Sequence, residues 1–218
     1  SPLYALQNKL WPKTNRQIKV CFEPEAFDSS SSEDRAIVQN SVEQTWGDAL
    51  KYNPVPKSEQ YSFIGWNRCD DTDSKSVRIT IRDEGPHTLG FGTELSGVKD
   101  GVVLNFTYNN WDNHCADEDL RYKCIAVNAS HEFGHVLGLS HEQNRPDNDS
   151  DHCNMPPQGA NGDLMVGPRD YGSIMDYCND LLDDVGSISD GDRYGIQYLY
   201  YPSYFRKSCE FTSSVGIE

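Results

Sequence analysis

The sequence of 218 residues predicts an α+β fold in one domain. A layered N-terminal subdomain covers about residues 1–138, a looser C-terminal subdomain about 139–218, and a groove separates them. Three observations predict this. Up to residue 138, short β-type runs alternate with two stretches of helical periodicity. From Gln143 to Gly172 the chain turns to Asn, Asp, Pro and Gly with few periodic apolar residues, as expected of irregular, surface-lying chain held by disulfides. Apolar residues make up 36% of the chain, with four Trp, twelve Tyr and eight Phe, which is enough for a core and argues against disorder.

The elements follow in order. Residues 18–22, Ile-Lys-Val-Cys-Phe, read as a strand, and the turn-rich SSSSED leads into a helix over about 33–51. Ser32 or a neighbour caps it, and Glu33 and Asp34 complement the dipole in its first turn. Its apolar face is Ile37, Val38, Val42, Trp46, Ala49 and Leu50. Strands are expected at 61–65, 77–81 and 102–106, with a Gly-rich edge strand at 88–95. A second helix is expected at 124–138, and a last one starts near Ser189 and stops before Pro202.

Composition narrows the function. No apolar run approaches the roughly 20 residues needed to span a bilayer. The formal charge of −15 has the wrong sign for neutralising phosphates, so nucleic acid is not an expected partner. Residues 1–111 carry 15 acids and 12 bases and the remainder 19 and 7, so the negative charge concentrates in the C-terminal half. The first residues show no signal-peptide pattern. Seven cysteines with no CxxC pair, together with sequons at Asn105, Asn128 and Asn148, point to an oxidising, extracellular compartment. Cys115–Cys124 is the first expected bridge and Cys153–Cys178 the second; an odd count leaves one thiol over.

The chemistry lies in His131-Glu-Phe-Gly-His135-Val-Leu-Gly138-Leu-Ser-His141. Histidines four apart on a helix stand about 40° apart around the axis and about 6 Å along it, so both imidazoles can reach one ion. Glu132, rotated by about 100°, lies beside the ion, where a base acting on its water belongs. Gly138 permits a left-handed turn that returns His141 as a third ligand. Three imidazoles suit one Zn²⁺ per chain and leave a coordination position for water, whose pKa falls to about 7. His87, His114 and His152 lie outside this pattern and read as ordinary surface or hydrogen-bonded histidines.

The string HExxHxxGxxH, followed by the Met-containing segment Asp170-Tyr-Gly-Ser-Ile-Met175-Asp-Tyr177, resembles the metzincin clan of zinc endopeptidases. Glu142 directly after the third histidine, Leu10-Trp11 before the first long strand, and Ser187-Ile-Ser-Asp190 with Gly195–Tyr200 near the end are similar to astacin-family segments. The resemblance is dense from about 124 to 200 and loose elsewhere. It implies a metzincin-type catalytic domain: a twisted, mostly parallel sheet with two helices, and an irregular C-terminal subdomain across a substrate cleft.

Residue by residue, the resemblance implies zinc ligation by His131, His135 and His141, with Glu132 as general base and then general acid. It makes Met175 the floor beneath the metal. Tyr177 becomes a zinc ligand in the resting enzyme that swings away to stabilise the oxyanion. It pairs Glu142 with a new N-terminus, here Ser1, once a propeptide is removed. Asp176 stands where many astacins have His, and the cysteine spacing differs from their usual pattern.

The expected function is a secreted, monomeric zinc endopeptidase acting on internal peptide bonds of protein or peptide substrates. Substrate would lie extended along the edge strand at Leu89, Gly90, Phe91 and Gly92. Arg145 and Arg169 could wall a subsite for acidic residues. The alternative is a catalytically silent, zinc-containing binding or adhesion module.

Overall fold

The computed structural model describes residues 3–179 and 186–205. At its centre is a five-stranded sheet. β1 (Leu3–Ala5) lies apart from it, and β2 (Gln17–Phe22), β3 (Ser62–Arg68), β4 (Val77–Ile81), β5 (His87–Thr88) and β6 (Val102–Leu104) form it in the order β3-β2-β4-β6-β5. All neighbours are parallel except β5, which runs antiparallel to β6 at the edge. Parallel strands need covered faces, and the runs Ile18-Val20-Phe22 and Val77-Ile79 are accordingly buried. The β2–β3 register shifts between Val20 and Cys21. There Gly65 adopts φ +100° and packs so close to the Val20 carbonyl that a β-carbon would overlap it.

Helices cover the sheet. α1 (Pro24–Ser29) is short, and α2 (Ser32–Val42) begins where Ser31 accepts a hydrogen bond from the Asp34 N–H. α2 continues through a π turn at Glu43–Gly47 into α3 (Asp48–Leu50), so the helix expected at 33–51 is present with one widened turn. Thr45 Oγ1 donates to the Ser41 carbonyl within that turn. α4 (Glu118–Val136) packs across α2: the Trp46 indole, fully buried, donates to the Ser130 carbonyl at 2.7 Å. α4 starts six residues before the expected 124, because Asp117 caps it and its first turns are polar and exposed. α5 (Asp190–Tyr200) starts, as expected, at a Ser189 cap that forms a reciprocal box with Asp192.

Two expectations need correction. The edge strand at 88–95 shrinks to His87–Thr88, extended by one bond from the Leu89 N–H to the Gly101 carbonyl. Leu89, Gly90 and Phe91 bend away, and Gly92 enters a 3-10 turn (Gly92–Leu95) at φ +52°, pressed against the Lys9 carbonyl where no side chain fits. In the C-terminal half the chain is irregular as expected, but Gln143, Asn144 and Arg145 are buried rather than surface-lying. The cause is a pairing not legible in the sequence. β1 pairs antiparallel with β7 (Leu164–Val166), which brings the chain's first described residues over this segment, and Arg145 donates to the Leu3 carbonyl.

Three disulfides brace the structure. Cys115–Cys124 and Cys153–Cys178 match expectation, and Cys21–Cys69 ties β2 to the end of β3. Cys209 and Ser1 lie outside the described residues. The three sequon asparagines are held internally: Asn105 by Asp83, Asn128 by the Tyr108 hydroxyl, and Asn148 by the Cys153 carbonyl. Among the described residues no helix is long and apolar enough to cross a membrane.

Candidate metal centre and active site

α4 carries His131, Glu132 and His135 in its buried last two turns. The helix ends at Gly138, whose φ of +85° sends the chain back over it, and His141 returns to face the two helical histidines. The N-terminal segment stitches this turn in place: Leu6 N–H donates to the Gly138 carbonyl, and Ser140 N–H to the Tyr4 carbonyl.

All three imidazoles are oriented by main-chain carbonyls. Nδ1–H of His131 donates to Ile174 at 2.7 Å, that of His135 to Leu139 at 2.7 Å, and that of His141 to Gln158 at 2.9 Å. Each Nε2 is therefore a lone pair. Nε2 of His141 stands 3.1 Å from Nε2 of both His131 and His135. Three acceptors at such spacing cannot satisfy one another, so the cluster fits a single divalent cation bound through nitrogen. Burial holds His131 down to about 3 and His135 well below the ordinary histidine value, and lowers His141 too, which keeps all three neutral. His131, His135 and His141 could thus hold a metal ion.

Glu132 is buried beside the cluster with Oε2 unpartnered among the described residues, and burial pushes its carboxyl up to about 8. It borders a cavity of about 590 Å³ shared with His131, Asn128, Trp111, Met155 and Tyr177. Tyr177 lies alongside, its ring centroid 4.4 Å from that of His141 and 5.2 Å from that of His131. Burial, aided by Glu132, raises its phenol to about 12.

Met175 is fully buried against α4 at Gly134. Its carbonyl accepts from the Glu142 N–H at 2.9 Å, joining the segment after the third histidine to the turn below it. Asp192 braces the same turn, accepting from Ser173 Oγ at 2.6 Å and from the Ile174 N–H at 2.9 Å, one peptide from the carbonyl that orients His131. Glu142 is wholly buried, with Arg145 3.6 Å away and Oε1 unpartnered among the described residues; burial raises it to about 8.

Other expected residues fall out differently. Of the edge segment, Phe91 reaches the site, its ring 5.1 Å from that of His135, whereas Leu89 is largely exposed. Arg145 and Arg169 do not wall a subsite: Arg145 is held bidentately by Asp147 and Arg169 by buried Asp176. His87 meets the Gly85 carbonyl and His152 meets Asp149, both away from the cluster. Sequence reasoning missed Asn144 and Gln158. The Asn144 amide donates to the Gln158 carbonyl that orients His141 and accepts from the Gln158 N–H. A main-chain carbonyl leaves no side-chain signature, whereas the Ser-x-x-Asp spacing at 189–192 could have revealed Asp192.

No protein-family profile and no curated protein matches the chain in sequence. In three dimensions the chain is similar to the solved structure of myroilysin, with a TM-score of 0.59 and 16% sequence identity, over 92% of this chain and 98% of that one. At that identity the likeness establishes a shared mixed α+β fold with a largely parallel sheet.

Proposed function

We propose that the chain is a secreted zinc endopeptidase of the metzincin type, astacin-like in its motifs. The observation that carries this reading is the convergence of three carbonyl-oriented Nε2 atoms beside a buried carboxyl group, one oxygen of which has no partner among the described residues. Neutral nitrogen donors in this number favour Zn²⁺. A bound zinc ion would supply Lewis-acid polarisation of the scissile carbonyl and acidify a water.

The rest of the chemistry belongs to the chain. Glu132 takes a proton from the attacking water and hands it to the leaving amine. Its position, buried beside the cluster and on the cavity wall, places it within reach of both tasks. Tyr177, beside the cluster and protonated at neutral pH, either ligates at rest or donates its hydroxyl to the developing oxyanion. Met175 packs the floor under the helical histidines. An extended peptide lies along the free edge of β5 and the Leu89–Gly92 bend, with Phe91 next to His135. Glu142, buried with one oxygen unpartnered among the described residues, is the partner for a newly exposed N-terminus after propeptide removal. Three disulfides fit an extracellular site of action.

The test is casein cleavage by protein of measured zinc content. Cleavage is expected to stop on chelation and in Glu132→Ala, with zinc content and thermal midpoint of that variant close to those of the parent. A catalytically silent binding module predicts zinc without cleavage in the parent itself. Undiminished cleavage by Glu132→Ala would remove the base assignment.

A further inference from the structure

The cavity beside Glu132 has a chemical character that the motifs do not convey. Its apolar walls are Pro86, Trp111, Met155 and Tyr177, and the last three keep 38–39% of their surface exposed. The Trp111 indole packs closely on Gly85, where a β-carbon would stand 3.0 Å from Nε1. Asn128, one helical turn before Glu132, forms part of the floor, with its amide N–H donating to the Tyr108 hydroxyl. Among the described lining residues Glu132 is the one acid, and none is Lys or Arg.

The two arginines that the sequence places nearby are consumed by internal ion pairs, with side chains only 1% and 3% exposed. Outside the walls, exposed Glu84 stands 3.6 Å from the Arg82 guanidinium, so that acid is offset by a base. An acidic substrate side chain entering here would meet the Glu132 carboxyl group and no Lys or Arg among the described lining residues. An aromatic or long aliphatic one would meet an indole, a thioether and a phenol ring. A volume of about 590 Å³ accommodates either easily.

Resting on the peptidase reading above, we propose that this cavity is the principal specificity pocket and selects a large apolar residue immediately flanking the scissile bond. Trp111 and Met155 are its specificity-determining side chains.

The experiment is mass-spectrometric mapping of cleavage sites in a proteome-derived peptide library by the zinc-loaded protein, followed by kinetics on matched peptides. Leu, Met, Phe and Tyr are expected to be enriched at one position flanking the cleaved bond, with Asp and Glu depleted there. Trp111→Ala is expected to lower the ratio of kcat/KM for a Phe peptide over its Ala counterpart about tenfold. Met155→Lys is expected to raise the relative kcat/KM of Asp and Glu peptides. Enrichment of acidic or basic residues, absence of any preference, or unchanged ratios in both variants would overturn the proposal while leaving the peptidase reading intact. No cleavage of any library peptide by the zinc-loaded parent would overturn both.

Discussion

Met175 occupies the space that a side chain at Gly134 would need: a β-carbon there would collide with the Met175 sulfur and crowd its methyl. The two residues are 41 positions apart, and their contact fixes how closely the Met175 turn approaches the helix that carries His131 and His135. Gly134→Ala is therefore expected to lower stability by about 1–3 kcal/mol through overpacking and to reduce zinc retention, although alanine is the better helix former. Met175→Leu, which nearly conserves volume, should cost under about 1.5 kcal/mol. Thermal midpoints and metal content of both variants check the pair; a Gly134→Ala protein more stable than its parent would contradict the contact.

Asn144 supports the His141 ring of the candidate metal centre through a carbonyl. Its amide and that of Gln158 lock each other, which fixes the oxygen that orients His141. Asn144→Ala should weaken zinc affinity roughly 10–100-fold, the range for lost outer-shell partners, without unfolding the protein. Competition with a chelator of known affinity measures it, and unchanged affinity would show that the Gln158 carbonyl needs no such support.

The Cys153–Cys178 bridge ends one residue from Tyr177. Replacing both cysteines by serine releases a 25-residue separation and should cost roughly 3 kcal/mol, lowering the thermal midpoint by about 6–12 °C. Because the bridge anchors the residue next to Tyr177, the peptidase reading expects kcat to fall more than KM changes. A pure loss of stability with kcat preserved would separate the bridge from the site.

Glu23 and Arg78 form a bidentate pair with both bonds at 2.8 Å, nearly buried at the end of the sheet. Arg78 holds the Glu23 carboxyl below its ordinary value of 4.5. The pair therefore stabilises the fold fully above that value, and the contribution disappears as pH falls through the lower, folded-state value. Glu23→Gln should cost roughly 3 kcal/mol at pH 7, because it strands a buried guanidinium. Urea midpoints from pH 7 to pH 3 should show the gap between parent and variant narrowing with acid. A constant gap would mean the carboxyl titrates alike folded and unfolded.

Much of this was legible in the sequence. The His131–His141 string dictates its own geometry, since helical spacing and a glycine turn are local properties. The caps at Ser31 and Ser189 and the bridges Cys115–Cys124 and Cys153–Cys178 were near enough in sequence to be read as well. Residues 89–92 misled because a Gly-rich run fits a strand or a bend equally, and the approach of the Lys9 carbonyl decides between them.

The sequence by itself determined which side chains gather at the candidate centre: three imidazoles that can hold a metal and a carboxyl group beside them, on one short stretch. Only the tertiary structure decided which carbonyls from residues 139, 158 and 174 orient those rings, and that Arg145 and Arg169 are locked in ion pairs rather than offered to a substrate. The physical reason is range. Helical periodicity acts over a few residues, whereas main-chain carbonyls carry no residue identity and an arginine's partner is chosen by burial, so both are fixed only once distant segments pack.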